Sequence, residues 1–130
     1  MNSLALDCPS IDGTDISVTA PPGWRQNYTY HCGVEYRAGS PGTSGGTIRD
    51  IATIIAYSVE DCIQSCFGLN IASFSSEYAL KCSAVFFSID LEAAVTSSTG
   101  NCVLKNDTLA AGTSAASNAA GVTATLDAGF

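Results

Sequence analysis

Charge is scarce in this 130-residue sequence, and positive charge is scarcest: five Lys and Arg stand against twelve Asp and Glu, a formal net charge of −7. A nucleic-acid partner needs a clustered basic surface to neutralise its phosphates, so that class is excluded. Heparin-like polyanions and acidic membrane surfaces are disfavoured for the same reason. There is a single histidine, His31, which is thin material for a nucleophilic triad or a Cys/His zinc site. No Cys-x-x-Cys pair occurs, which removes the usual redox-active dithiol. Long apolar runs are missing too. The stretch from Ile51 to Tyr57 falls far short of the roughly 20 residues that a membrane-spanning helix requires. The start, Met1-Asn2-Ser3-Leu4-Ala5-Leu6-Asp7-Cys8, lacks the charged head and apolar stretch of a secretion signal.

What is present in quantity is cysteine. Six in a chain of this length point to three disulfides and an oxidising compartment. A chain with oxidised cysteines has crossed a membrane, so it is read as a mature form or an excised piece, secreted or at the cell surface. Two Asn-x-Thr sequons, at Asn27 and Asn106, agree with a eukaryotic secretory route and mark both asparagines as N-glycosylation candidates. Apolar residues make up 46% of the chain, too many for a charged disordered tail, though much of that fraction is alanine. The length is that of one domain with a modest core.

Along the chain, Tyr28, Tyr30, Cys32, Val34 and Tyr36 alternate with polar or small residues between Asn27 and Arg37. That period of two predicts a half-buried strand with the tyrosines and Cys32 inward and Asn27 on the outer face. Residues 40–46 form a loop by composition, and the β-branched run Ile48–Ala56 predicts a second strand. Ser58 caps a helix with Glu60 and Asp61 at its positive end, and Gly68 is its expected stop. Cys82–Ile89 and Gly100–Lys105 predict strands, the first apolar on both faces as a central strand is. Residues 108–121, rich in Ala, Gly, Ser and Thr, predict a linker, followed by a short last strand over Val122–Leu126.

Cys62 and Cys66 lie four apart and share one face of the predicted helix. Cys82 and Cys102, each within a strand, are their natural partners, which leaves Cys8 and Cys32. Six cysteines permit fifteen pairings, and spacing alone does not choose among them.

The order of these elements resembles that of PAN/apple domains. A cysteine-bearing strand is followed by the helical Cys62-x-x-x-Cys66, by Cys82-Ser83-Ala84-Val85-Phe86-Phe87 and by Gly100-Asn101-Cys102-Val103-Leu104-Lys105. The likeness is greatest to secreted fungal members, which carry Cys-Pro near the start, as in Cys8-Pro9, and a Gly-Asn-Cys-x-Leu-Lys element near the end. It covers about residues 7–107 of a single domain spanning 1–130. The resemblance implies an α+β fold, an antiparallel sheet of five strands or so with one helix packed across it. It also implies the pairs Cys8–Cys32, Cys62–Cys102 and Cys66–Cys82. The segment between Cys66 and Cys82, including Asn70 to Tyr78, and the 90–99 loop depart from the compact family pattern.

No enzyme, cofactor or metal is expected. Carboxylates are available, but Asp12, Asp15, Asp50, Glu60, Asp61 and Asp90 fall at turns, caps or strand ends, where solvation is the ordinary reason for an acid. Trp24, after Pro21-Pro22-Gly23, is the candidate contact residue for a sugar or protein partner, weighed against packing into the core beside the N-terminal disulfide. The expected function is a secreted, non-catalytic recognition or adhesion module that binds protein or carbohydrate at the cell surface or in the extracellular matrix. Two other readings stand beside it. One is a self-assembling filament or wall protein, favoured by few charges and open strand edges. The other is a secreted effector or inhibitor.

Overall fold

The tyrosine alternation forms strand β2, which starts earlier than the pattern predicts and spans Trp24–Glu35. Gln26, Tyr28 and Tyr30 are buried on its inner side, in phase with the predicted face. Beyond Gly33, whose φ of 70° suits glycine, the register with its neighbour slips between Cys32 and Val34. The alternation therefore fades: Cys32 and Val34 are only half-buried, and Tyr36 lies past the strand end rather than in its inner row.

This computed structural model describes residues 11–21, 23–36, 39–43, 45–74, 81–88, 100–108 and 116–128. Besides β2, they form β1 (Asp15–Ala20), β3 (Asp50–Ile54), α1 (Val59–Phe74), β4 (Ala84–Ser88), β5 (Cys102–Lys105) and β6 (Ala116–Ala128). The fold is α+β. Six strands make one antiparallel sheet in the order β1-β2-β6-β4-β5-β3, with the helix lying against β4, β5 and β2.

Three expectations need correction. The helix does not stop at Gly68 but continues to Phe74. A mid-helix glycine costs about 1 kcal/mol, and tertiary contacts on both sides of it offset that cost. Phe67 and Asn70 are buried, and the Asn70 side chain bonds to Gln26 on β2 and to the Cys82 backbone just before β4. The second correction concerns the C-terminal region. Residues 116–121, expected to be linker, are the first half of β6, which is a central strand between β2 and β4 rather than a short terminal addition. The core therefore extends beyond residue 107, with Val122 and Ala124 fully buried in it. Small residues fit there because the neighbours are large: Val122 is opposite Phe87, and Ala124 is opposite Tyr30. At Gly121 a Cβ would collide with the Phe87 carbonyl, so β6 approaches β4 only because that position has no side chain. The strand expected over Ile48–Ala56 is confined to Asp50–Ile54.

The helix begins as its sequence predicts. The Asp61 amide donates to Ser58 Oγ at 3.1 Å, the N-cap bond. Cys62, Ile63, Cys66, Phe67 and Asn70 form its buried stripe, while Glu60, Asp61, Gln64 and Gly68 face out. Cys62 is bonded to Cys102 on β5, and Cys66 to Cys82 just before β4, with Cα separations of 5.6 and 5.4 Å. These are two of the three pairs that the resemblance implies. The third, Cys8–Cys32, lies outside the described residues because Cys8 does.

Candidate functional site

The turn joining β1 to β2 sets Trp24 at one end of the sheet, opposite Ala20 in the hairpin register. Trp24 is half-buried and packs against the edge of the core. It borders an open depression of about 440 Å³ lined by Thr19, Ala20, Pro21, Gly23, Trp24 and Arg25. Trp24, Arg25 and Thr19 border the same depression, so a ring, a guanidinium and a hydroxyl are available there to a sugar or a peptide side chain.

The same hairpin carries a polar ladder on its outer face. Arg25 Nη2 donates to Ser17 Oγ at 3.4 Å, and Ser17 Oγ donates to Asn27 Oδ1 at 2.5 Å. One register further on, Thr29 Oγ1 donates to Asp15 Oδ1 at 2.7 Å. These cross-strand pairs fix the positions of Arg25 and Asn27 on either side of Ser17. Trp24 and the first sequon therefore share one hairpin. The second sequon does not join them: Asn106 follows β5, next to the start of β3 at the opposite edge of the sheet.

The motifs that carry the family resemblance have internal duties instead. Asn101 is buried, and its side chain accepts from the Ala56 amide and donates to the Ala56 carbonyl, both at 2.8 Å. It thus holds the β3–α1 turn against the start of β5. Cys102 carries a staple, Leu104 packs in the core, and Lys105, 1% exposed, donates to Asp50 Oδ1 at 2.7 Å. On the helix side, Asn70 Nδ2 donates to the Cys82 carbonyl at 2.9 Å and to Gln26 Oε1 at 3.0 Å, while Asn70 Oδ1 accepts from the Cys82 amide at 2.7 Å. Tyr28 OH donates to Gln26 Oε1 at 2.8 Å and completes the network. Burial raises the Tyr28 phenol well above its ordinary range. Tyr30 is pushed up to about 12, by burial first and then by the Glu60 charge.

Sequence reasoning missed this polar interior. Gln26 could have been found, since it is in phase with Tyr28 and Tyr30; Asn70, placed beyond the expected helix end, could not. Of the acids assigned to turns and caps, Asp12 accepts from the Cys32 amide at 2.9 Å, and Asp50 pairs with Lys105. Asp90 lies outside the described residues. His31 is half-buried, its Nε2 3.1 Å from Thr125 Oγ1. Among the described residues no group of three or more His, Cys, Asp or Glu side chains is placed to hold a metal ion, and no helix is long and apolar enough to cross a membrane.

No protein-family model, no curated protein and no solved structure matches the chain.

Proposed function

We propose that the chain is a secreted, PAN/apple-like recognition module without catalytic activity, which binds a protein or carbohydrate partner at the cell surface or in the extracellular matrix. The carrying observation is the open depression at Trp24, where an aromatic ring and Arg25 border a surface built on a rigid hairpin. Support for the secretory setting comes from two disulfides that tie one helix to the sheet. Support for a binding rather than an enzymatic role comes from the acids themselves. Asp12 and Asp15 serve as hydrogen-bond acceptors at a turn and a strand start, and Asp50 as an ion-pair partner.

A glycan array, with a panel of extracellular matrix proteins beside it, tests the reading. Trp24→Ala should lose at least tenfold in affinity for whatever the parent binds, while melting within a few degrees of it. Binding untouched by Trp24→Ala would move the site elsewhere. Ordered particles formed without any ligand, seen by negative-stain microscopy, would replace recognition with assembly.

A further inference from the structure

The two outer strands of the sheet are protected unequally. β1 opens on the charge of Asp15, and Pro21 follows its last residue. Charge and proline are common means of keeping an edge from pairing with another chain. β3 likewise opens on a charge, Asp50, with exposed Arg49 before it, but among the described residues neither charge nor proline follows along this strand. Its one acid, Asp50, is engaged by Lys105. From Ile51 to Tyr57 the chain reads Ile-Ala-Thr-Ile-Ile-Ala-Tyr, with no charge, no proline and no glycine. Such a segment combines high β propensity with low charge, the pattern that pairs strand to strand between molecules. Ile55 is 50% and Tyr57 70% exposed, the two large exposed apolar side chains among the described residues.

At the entrance to this strand stands the second sequon. The Asn106 amide donates to the Arg49 carbonyl at 3.1 Å, and Asn106 Oδ1 accepts from the Arg49 amide at 2.7 Å. Asn106 is exposed, and neither bond uses its Nδ2. The third sequon residue, Thr108, has its hydroxyl 2.8 Å from Thr43 Oγ1 in the folded chain.

We propose that Asn106 is an N-glycan acceptor whose glycan covers the open edge of β3 and keeps the chain from pairing with a second copy of itself. The proposal rests on the secretory reading above. In the step itself, Asn106 Nδ2 bonds to the anomeric carbon of a lipid-diphosphate oligosaccharide; the lipid diphosphate leaves, and one amide proton is released. Oδ1 keeps its bond to Arg49, so the local geometry survives. β3 is five residues, about 17 Å long, and a bulky hydrated glycan rooted opposite Arg49, the residue before it, shields a span of that order.

The test expresses the full chain behind a leader in eukaryotic secretory cells, with peptide mapping at Asn106 and light scattering after size exclusion. The parent should carry a glycan at Asn106 and run as a monomer. Asn106→Gln and Thr108→Val, the second of which retains the Asn106–Arg49 bonds, should each at least double the measured mass. Adding Ile55→Lys to Thr108→Val should restore the monomer. A bare Asn106 in a secreted, fully oxidised parent overturns the proposal. So do unglycosylated variants that stay monomeric, or association that survives Ile55→Lys. Free thiols at Cys62 and Cys66 in protein from its natural source would instead remove the secretory reading on which the proposal stands.

Discussion

The two faces of the sheet are built on opposite principles. On the helix side, Tyr28, Tyr30, Val85, Phe87, Leu104, Val122 and Ala124 form an apolar layer, closed by two covalent links to α1. On the other side the buried residues include Thr123, Thr125 and Lys105 beside Ala84 and Phe86. There the order comes from hydrogen bonds: Thr123 Oγ1 donates to the Val34 carbonyl, Thr125 meets His31, and Lys105 meets Asp50. The first face is held by burial and chain entropy, which tolerate small shifts. The second is held by directional bonds, which fix register. β6 needs both, because its small residues alone specify neither position nor partner.

Removing the staples should affect the first face most. By loop entropy Cys66–Cys82, closing 16 residues, is worth about 3 kcal/mol, and Cys62–Cys102, closing 40, about 4 kcal/mol. The smaller loop is nested in the larger, so the joint effect is less than additive. Even so it takes up much of a typical stability of about 5–15 kcal/mol. Replacing all four cysteines by alanine should therefore abolish the cooperative thermal transition followed by circular dichroism; retention of a sharp transition near the parent temperature would show that the apolar layer suffices. Phe87→Ala, at a fully buried position, should cost about 3–5 kcal/mol in urea unfolding with both disulfides intact.

Alkaline pH probes the same face without mutation. The Tyr28 and Tyr30 phenols are raised in the folded chain above their ordinary value of 10.0, so folding favours their protonated forms. That contribution is complete below pH 10.0 and is lost as pH rises through about 12. Tyrosinate absorbance should lag behind model tyrosine and then rise together with loss of structure. Early titration of all tyrosines in a still-folded chain would contradict this. Asp50→Asn tests the second face and should give the smallest loss, about 1–3 kcal/mol, because Lys105 keeps a buried charge without its counter-ion. The range is lower than for a fully buried pair because Asp50 is 44% exposed.

Legibility in the sequence followed the same division. Period-two tyrosines, an N-capping serine and cysteines four apart are local signals, and β2, the start of α1 and its stapled face followed from them. The helix past Gly68 and the full length of β6 were not readable locally. Asn70 extends the helix through bonds to Cys82 and Gln26, residues remote from it in the chain. Residues 116–121 look like linker because they carry no periodicity of their own; at Gly121 it is the Phe87 carbonyl across the sheet that excludes a side chain, which no local pattern shows. The Trp24 site was half legible: the turn was visible in the Pro-Pro-Gly, whereas the ladder through Arg25, Ser17 and Asn27 depends on the hairpin register.

The place of β6 bears on how the molecule is made. Without that strand the sheet falls into a two-stranded hairpin, β1–β2, and a separate trio, β4-β5-β3, with no ladder between them. Until the chain through Ala128 has emerged, the two pieces are linked through α1, whose Asn70 bonds to Gln26 on β2, while the sheet between them stays unsealed. A premature stop codon before residue 116 should therefore leave two sheet fragments with the edges of β2 and β4 unsealed.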